Sequence, residues 1–348
     1  MANLIRLPKS GSDWGPGELE AYNIKICEVT VESFFGLKDL PNLPPTIQCL
    51  AELPVPADTR DLSDDTEVKF FRYLLSTQIQ HSLESAVDDL AVFLLQLFFG
   101  RLLLRTKPGM KLQMGGSSVD AVPDIALFGL HDDVVLLVQE NKASDGVPMG
   151  KLILTHWVQR NGFNGFSERE KAEAQLIAEA VAAHTRNKTL GETKRDIYGI
   201  TMLGPTPYFY RIPINEALIK AINESYFPEE PTIVFRFIPP VRNKQIYNAI
   251  GLVVPENRKL IFQCLQALQA LLVCWSLQWM NNLYMMQILG DGGYWSSRVT
   301  VTSVFSASKR NGYLGWRSQI SCYIIHGAVE HQRENNRYLW TTNDVLWS

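Results

Sequence analysis

Two carboxylates and a lysine have a spacing that suits metal-assisted chemistry. Asp124 opens a short predicted strand, and Glu140 and Lys142 close the apolar strand that follows it. Because side chains alternate along a strand, Glu140 and Lys142 share one face. If the two strands are antiparallel neighbours, Asp124 lies beside Glu140, and two carboxylates and one lysine meet at one edge of the sheet.

These residue types point to hydrolysis of a phosphate ester. Carboxylate oxygens, waters and a substrate phosphate are the usual ligands of Mg²⁺, so Asp124 and Glu140 are predicted to bind Mg²⁺ or Mn²⁺. A lysine at position 142 can orient an attacking water and offset the negative charge that develops on phosphate. A simpler alternative stays open. Asp124 then caps a turn, and Glu140 and Lys142 form an ion pair at a strand end, which is worth only ~0–1 kcal/mol.

The hydrophobic pattern predicts the elements that hold these residues. Residues 134–142, with the sequence VVLLVQENK, are typical of a strand in the buried centre of a sheet. A helical segment is predicted before them, from residue 68 to about residue 99, with a break near Ser76 or Thr77 and an end at Gly100. Further strands are predicted at 22–31, 197–204, 209–214 and 232–240.

A second helix is predicted after the apolar strand. Ser167 and Glu170 have the spacing of a capping box, and a strongly helical sequence follows them. From Leu176 to Ala183 this helix is apolar nearly all round apart from Glu179, which predicts burial on two sides.

The order of these elements indicates an α/β fold with a mixed central sheet. The strand at 134–138 is apolar on both faces, so we expect it to be central. The helices at 80–99 and 168–186 are expected to cover it.

The Asp124 and Glu140-x-Lys142 motif, within this order of elements, resembles the PD-(D/E)XK nuclease superfamily. The restriction-endonuclease-like core of that superfamily consists of a helix, a three-stranded meander, a helix and a further strand. The resemblance covers roughly residues 84–214. It implies that Asp124 and Glu140 are the metal ligands and that Lys142 is the motif lysine.

The resemblance also implies supporting residues on the two helices. The family often adds an acid from the first helix, for which Glu84 is the candidate and Asp88 the alternative. Some members carry a glutamine on the second helix, where Gln175 stands. The strings VQENKA, AEAQLIAEAVAAH and IYGITMLG are in addition similar to a group of uncharacterised fungal proteins with a QE-x-K motif, and this similarity carries no known substrate.

A run of basic residues lies between the first helix and Asp124. No acidic residue interrupts the chain between Leu90 and Val119. If the basic residues flank the site, they form a rim that tracks phosphates and makes binding dependent on salt. Alternatively they are solvated residues on strand edges, where lysine also deters aggregation. The residues are Arg101, Arg105, Lys107 and Lys111.

Composition bounds the class of protein. Of the 348 residues, 46% are hydrophobic and 20% are charged, which is typical of a packed fold of one large domain or two ordinary ones. The 33 basic and 36 acidic residues give a net charge of −3, so no global basic field draws the protein to nucleic acid. Contact with DNA or RNA therefore requires a local patch.

Three further features bear on the environment of the protein. The five cysteines are scattered without a C-x-x-C pair, which favours neither a disulfide framework nor a zinc site. The first residues lack the pattern of a signal peptide, so we expect an intracellular protein, cytoplasmic or nuclear. The apolar stretch from Leu260 to Leu289 contains many amide side chains and a helical stripe, which favour a buried helix over a membrane span.

The chain is predicted to have three parts. Residues 1–67 form an N-terminal extension with one strand and an extended Pro-rich connector from Pro41 to Pro56. Residues 68–289 form the nuclease-like α/β domain with a helical C-terminal addition. Residues 290–348 lack sustained periodicity, and their structure is left open.

The function expected from the resemblance is Mg²⁺-dependent hydrolysis of phosphodiester bonds in nucleic acid. The alternative is a catalytically inactive nuclease-like module that binds nucleic acid or protein. The choice between DNA and RNA and the oligomeric state stay open.

Overall fold

The strands predicted around Asp124 and Glu140 belong to one large sheet. The computed structural model describes residues 7–78, 84–129, 131–141, 168–191, 196–288, 298–310 and 313–325. The chain divides into two compact units, residues 1–280 and residues 281–348. The first unit contains the sheet.

The strands of the first unit form a seven-stranded mixed sheet and a separate hairpin. In chain order they are β1 Ile24–Glu28, β2 Leu103–Thr106, β3 Met110–Met114, β4 Ser117–Ala121, β5 Ile125–Phe128, β6 Val134–Asn141, β7 Ile197–Leu203, β8 Thr206–Ile212 and β9 Thr232–Phe237. The order in the large sheet is β1-β9-β8-β7-β6-β5-β2, and β3 and β4 form a separate two-stranded sheet. The pairs β1–β9 and β6–β7 are parallel, and the other pairs are antiparallel. The α/β class with a mixed central sheet is therefore confirmed.

Helices precede, follow and connect these strands. Their bounds are α1 Pro16–Ala21, α2 Val31–Phe35, α3 Pro45–Glu52, α4 Asp65–Ser76, α5 Glu84–Phe99, α6 Glu168–Thr189, α7 Glu216–Glu224, α8 Lys244–Ile250 and α9 Pro255–Ile288. Short 3₁₀ turns occur at Gly11–Asp13, Thr59–Asp61 and Gly251–Val253. Within the described ranges, no helix has both the length and the hydropathy that are needed to span a bilayer.

Strand β6 lies in the interior of the sheet, as its sequence predicts. Residues 134–138 are at most 1% exposed. Because a strand presents alternate residues to opposite faces, five consecutive buried residues require cover on both faces. Helices α5 and α6 both contact β6, which confirms the expected cover.

Helix α6 is fixed to the sheet at two points. Gly199 of β7 lies under Leu176, and a Cβ atom at position 199 would be 2.8 Å from the Leu176 side chain. Near the other end of the helix, the Asn187 amide accepts a hydrogen bond from the N–H of Val134 and donates one to its carbonyl, each at 2.8 Å. The side chain thus satisfies backbone groups at the start of β6 that would otherwise be buried without partners.

A buried arginine joins the N-terminal helices to α9. The Arg258 guanidinium donates to the carbonyls of Leu50 and Leu53 at the end of α3, at 3.0 and 2.7 Å, and to two carbonyls of the 3₁₀ turn at 252 and 253. It also stacks over the rings of Phe70 and Phe71. Burial lowers the pKa of Arg258 to about 10, so the side chain remains charged at neutral pH.

The N-terminal residues contribute to the same hydrophobic core as the sheet. Strand β1 pairs with β9, and Trp14, Phe34 and Leu50 are buried. The Pro-rich stretch from Pro41 to Pro56 was expected to be extended, and this expectation is wrong because it contains α3. Prolines occupy the N-cap and the first position of that helix, where no intrahelical N–H donor is required.

The second unit contains a β-hairpin, in the part of the chain for which the sequence predicts no structure. Strands β10 Arg298–Arg310 and β11 Tyr313–Ile325 pair antiparallel over their full length.

The Arg258 contacts predict a large loss of stability on substitution. Arg258→Met keeps the apolar stem but leaves four carbonyls without their charged donor, so the free energy of unfolding should fall by about 3 kcal/mol or more. Urea denaturation checks this. Arg242→Met is the control, because Arg242 is exposed, and it should unfold at the wild-type urea concentration. Equal midpoints for the two variants would contradict the role given to Arg258.

The division into two units predicts that the sheet survives without the hairpin. A chain that ends at residue 289 keeps all strands of the seven-stranded sheet and the whole of α9. It should therefore show one cooperative thermal transition by circular dichroism. Loss of that transition would show that the sheet depends on the C-terminal 59 residues.

Candidate functional site

The candidate site lies where β5 begins and β6 ends. These two strands are antiparallel neighbours, with Ile125 opposite Val138. Asp124 precedes β5 in a bend and is half-buried. Continuing the register by one residue sets Asp124 next to Gln139, with the backbone of Glu140 one residue further along β6.

The neighbouring strand β2 also reaches this edge of the sheet. Its register continues to Lys107, whose backbone N–H donates to the carbonyl of Asp124 at 2.8 Å. Lys107 has a left-handed backbone with φ of 48° and an exposed side chain. One basic residue of the predicted rim is therefore beside Asp124.

Several predicted site residues lie outside the described side chains. Glu140 is a β6 residue whose backbone pairs with Met202 of β7, and Glu84 is the first residue of α5, but their side chains are not among those described. Lys142 lies outside the described residues altogether. A metal ion shared by Asp124 and Glu140 therefore stays a prediction.

Gln175 of α6 is half-buried close to the end of β6. Its amide Nε2 donates to the carbonyl of Ser12 at 2.6 Å, and its Oε1 accepts from Nε2 of Gln139 at 3.3 Å. Gln175 therefore links the N-terminal 3₁₀ turn to β6. Through these two hydrogen bonds, Gln175 fixes α6 relative to the end of β6 and to the N-terminal turn.

Glu179, one turn after Gln175, was not predicted as a site residue. Its side chain is 1% exposed, and its Oε2 has no hydrogen-bond partner within the described residues. Burial, and to a lesser extent the negative charge of Asp124, raise the pKa of Glu179 well above its ordinary value. The sequence signal was present, since Glu179 is the one acid in an otherwise apolar stretch of the helix.

Small residues bring these segments together. A Cβ atom at Gly11 would be 3.2 Å from Ala121 and 3.7 Å from the Cβ of Ala178. Ala121 ends β4 three residues before Asp124, and Ala178 directly precedes Glu179. The absence of side-chain bulk at position 11 thus allows the N-terminal turn, the end of β4 and helix α6 to meet.

A second buried acid of α6 has quite different surroundings. Glu173 accepts hydrogen bonds from the Tyr210 hydroxyl at 2.8 Å and from the Arg236 guanidinium at 2.7 Å. The Arg169 side chain lies 3.7 Å away. Burial, followed by the charge of Glu173, raises the pKa of Tyr210 well above its ordinary value, so that this hydroxyl remains a donor. Glu173 is thus a compensated structural charge.

Two of the four residues of the predicted basic rim form ion pairs with acidic side chains. Arg105 forms an ion pair with Asp132 at 2.9 Å, and Lys111 forms one with Asp120 at 2.6 Å. Arg101 and Lys107 are exposed, but they lie before and after β2, at opposite ends of the strand. Of the four, Lys107 is the residue whose backbone contacts the Asp124 segment.

The side chains near Asp124 supply some, but not all, of the oxygen ligands that a divalent metal ion requires. Within the described residues, no group of three His, Cys, Asp or Glu side chains lies close enough to hold a metal ion. Two buried oxygens nevertheless lack donors there, Oε1 of Gln139 and Oε2 of Glu179. Oxygen atoms of carboxylates and amides are ligands that Mg²⁺ and Mn²⁺ accept.

Comparison with known proteins gives no independent assignment. No protein-family model matches the chain. No curated protein matches it either.

The raised pKa of Glu179 predicts a pH-dependent stability. The unfolded chain loses this proton above its ordinary pKa of 4.5, whereas the folded chain retains it to higher pH. The contribution of this group is therefore fully present below pH 4.5 and is lost as the pH rises through the folded pKa. Glu179→Gln removes the titration, so the Tm of the variant minus the wild-type Tm should increase between about pH 5 and pH 8.

Differential scanning fluorimetry in a series of buffers measures this difference. Glu20→Gln, at an exposed position, is the control and should follow the wild-type Tm at every pH. A difference between Glu179→Gln and wild type that stays constant with pH would show that Glu179 is ionised in the folded protein.

Proposed function

We propose that this protein is a Mg²⁺-dependent or Mn²⁺-dependent nuclease of the PD-(D/E)XK type. The observation that carries the proposal is the order of elements around Asp124. Helix α5, the strands β2, β5 and β6, helix α6 and strand β7 follow one another as helix, antiparallel meander, helix and parallel strand. This is the order that the resemblance implies for a restriction-endonuclease-like core, with the β3–β4 hairpin inserted between β2 and β5.

The residues present fit a hard divalent cation at the end of β6. Asp124 supplies a half-buried carboxylate, and buried acceptor oxygens of Gln139 and Glu179 lack donors in the described part of the chain. In the proposal Asp124 and Glu140 hold the cation. When bound, Mg²⁺ supplies positive charge that stabilises the phosphate in the transition state.

The remaining residues position the substrate and the nucleophile. Lys142 orients the attacking water and offsets negative charge, while Glu84 supports the site from α5. Gln175 keeps α6 in place through its bonds to Gln139 and Ser12. In the proposal Lys107, which is exposed and whose backbone contacts Asp124, binds a phosphate of the nucleic acid and makes binding dependent on salt.

The proposal predicts loss of cleavage when either ligand loses its charge. Asp124→Asn and Glu140→Gln preserve shape but weaken the hold on the cation, so cleavage of DNA or RNA in Mg²⁺ should fall to the level seen with chelator. Lys142→Ala should slow cleavage by on the order of 10²–10³, the scale of one lost electrostatic stabiliser. Fluorescent single-stranded and double-stranded DNA and RNA serve as substrates.

The matched controls are exposed carboxylates far from this edge in sequence. Asp39→Asn and Glu20→Gln make the same chemical changes and should retain wild-type cleavage. Cleavage that persists in chelator, or in all three site variants, would refute the proposed site. A folded protein that binds nucleic acid without cleaving any of the substrates would support the alternative, an inactive nuclease-like module.

A further inference from the structure

Two buried oxygen atoms on facing elements lack hydrogen-bond donors. Gln139 of β6 is 8% exposed and Glu179 of α6 is 1% exposed. The Oε1 of Gln139 and the Oε2 of Glu179 have no partner within the described residues. A buried acceptor without a donor costs about 1–3 kcal/mol, so two on adjoining elements call for a shared partner.

The two residues that carry these oxygens, Gln139 and Glu179, both lie near Asp124. Gln139 is opposite Asp124 when the β5–β6 register is continued, and its amide contacts Gln175 one turn before Glu179. The close packing of Ala121 and Ala178 around residue 11 brings the chain before Asp124 to the helix at Glu179. The Asp124 charge is near enough to act on the Glu179 carboxyl.

The charge around Glu179 contrasts with that around Glu173 on the same helix. Glu173 is as deeply buried, at 3% exposure, and Arg236 and the Tyr210 hydroxyl neutralise and satisfy it. Glu179 has no ion pair with a basic residue in the described part of the chain, and the neighbouring charge that acts on it is another carboxylate. A divalent cation satisfies this arrangement when it displaces the proton of Glu179, because it then binds several acceptor oxygens at once and offsets the negative charge of the two carboxylates.

We propose that the carboxylates of Asp124 and Glu179 and the amide oxygen of Gln139 form a hard-oxygen site for a divalent cation on the α6 side of the sheet, the side on which Gln139 contacts Gln175. The proposal rests on the proposed function in that Asp124 is common to both. It adds two ligands that the sequence motif does not contain. The set has no thiolate or imidazole, which favours Mg²⁺ or Mn²⁺ over zinc.

Binding of Mn²⁺ alone to the full chain tests the proposal. Free Mn²⁺ is measured by electron paramagnetic resonance, and the rise in Tm on adding Mn²⁺ is measured in parallel. Glu179→Gln should weaken Mn²⁺ affinity by at least the ~10–100-fold that loss of an outer-shell partner of a metal site costs, and it should abolish most of the rise in Tm. Gln139→Met, which removes the amide oxygen at similar size, should weaken affinity in the same direction.

Glu173→Gln is the matched control, because it makes the same change in another buried acid of the same helix. It leaves Arg236 without its carboxylate, so it should lower the Tm of the metal-free protein. Its Mn²⁺ affinity should equal that of the wild type. Glu179→Gln should show the opposite pattern, with an unchanged or higher metal-free Tm and a weaker affinity.

Each outcome separates this proposal from the proposed function. If Asp124→Asn loses Mn²⁺ while Glu179→Gln and Gln139→Met retain wild-type affinity, the two added ligands are refuted and the nuclease proposal stands. If Glu179→Gln loses Mn²⁺ but the wild type cleaves no nucleic acid, the cation site stands and the nuclease proposal fails. Wild-type protein that binds no Mn²⁺ at millimolar concentration refutes the site. Should Glu179→Gln fail to fold, wild-type affinity in Gln139→Met would refute it instead.

Discussion

The burial of α6 is the constraint on which the candidate site depends. The helix contacts β6 and β7 of the sheet, and it also contacts the β3–β4 hairpin and the N-terminal residues. Contacts with these separate parts of the fold bury the central part of the helix, where a polar side chain must find its partner within the protein. Asn187 binds the backbone at the start of β6, and Glu173 binds Arg236 and Tyr210. Glu179 differs from these two residues, because within the described residues its Oε2 has no hydrogen-bond partner and the neighbouring charge that acts on it is that of Asp124.

The same burial explains how distant parts of the chain are brought to one edge of the sheet. Because β6 and β7 are parallel, the chain between them must cross over the sheet. Helix α6 is part of this crossover connection and packs against both strands. Gln175 then reaches the N-terminal turn and β6 from one helical position. The N-terminal residues are therefore part of the site's support, although their own sequence contains no catalytic motif. Arg258 secures the next N-terminal segment, α3, by binding its last carbonyls.

Local patterns allowed much of the fold to be predicted. The apolar run at 134–138 and the helical segment from Leu176 to Ala183, which is apolar apart from Glu179, predict burial directly, because burial on both sides removes the usual alternation. Features that depend on distant partners were not predictable. The pairing of β1 with β9 joins segments with no signal of mutual preference. The prolines at the start of α3 favoured the prediction of an extended connector, although proline is also favourable at the first position of a helix. Glu179 was noticed only as an irregularity, because its significance depends on Asp124, which lies far away in sequence.

The parallel pairing of β1 with β9 also constrains the order of events during protein synthesis. Ile24 pairs with Thr232, which leaves the ribosome about 200 residues later, or roughly 10–40 s at the usual 5–20 residues per second. During that interval Ile24, which is buried in the finished protein, lacks the strand with which it pairs. Residues that will be buried are then exposed on the nascent chain, where chaperones bind such segments. Strand β1 is therefore synthesised well before the strand that incorporates it into the sheet.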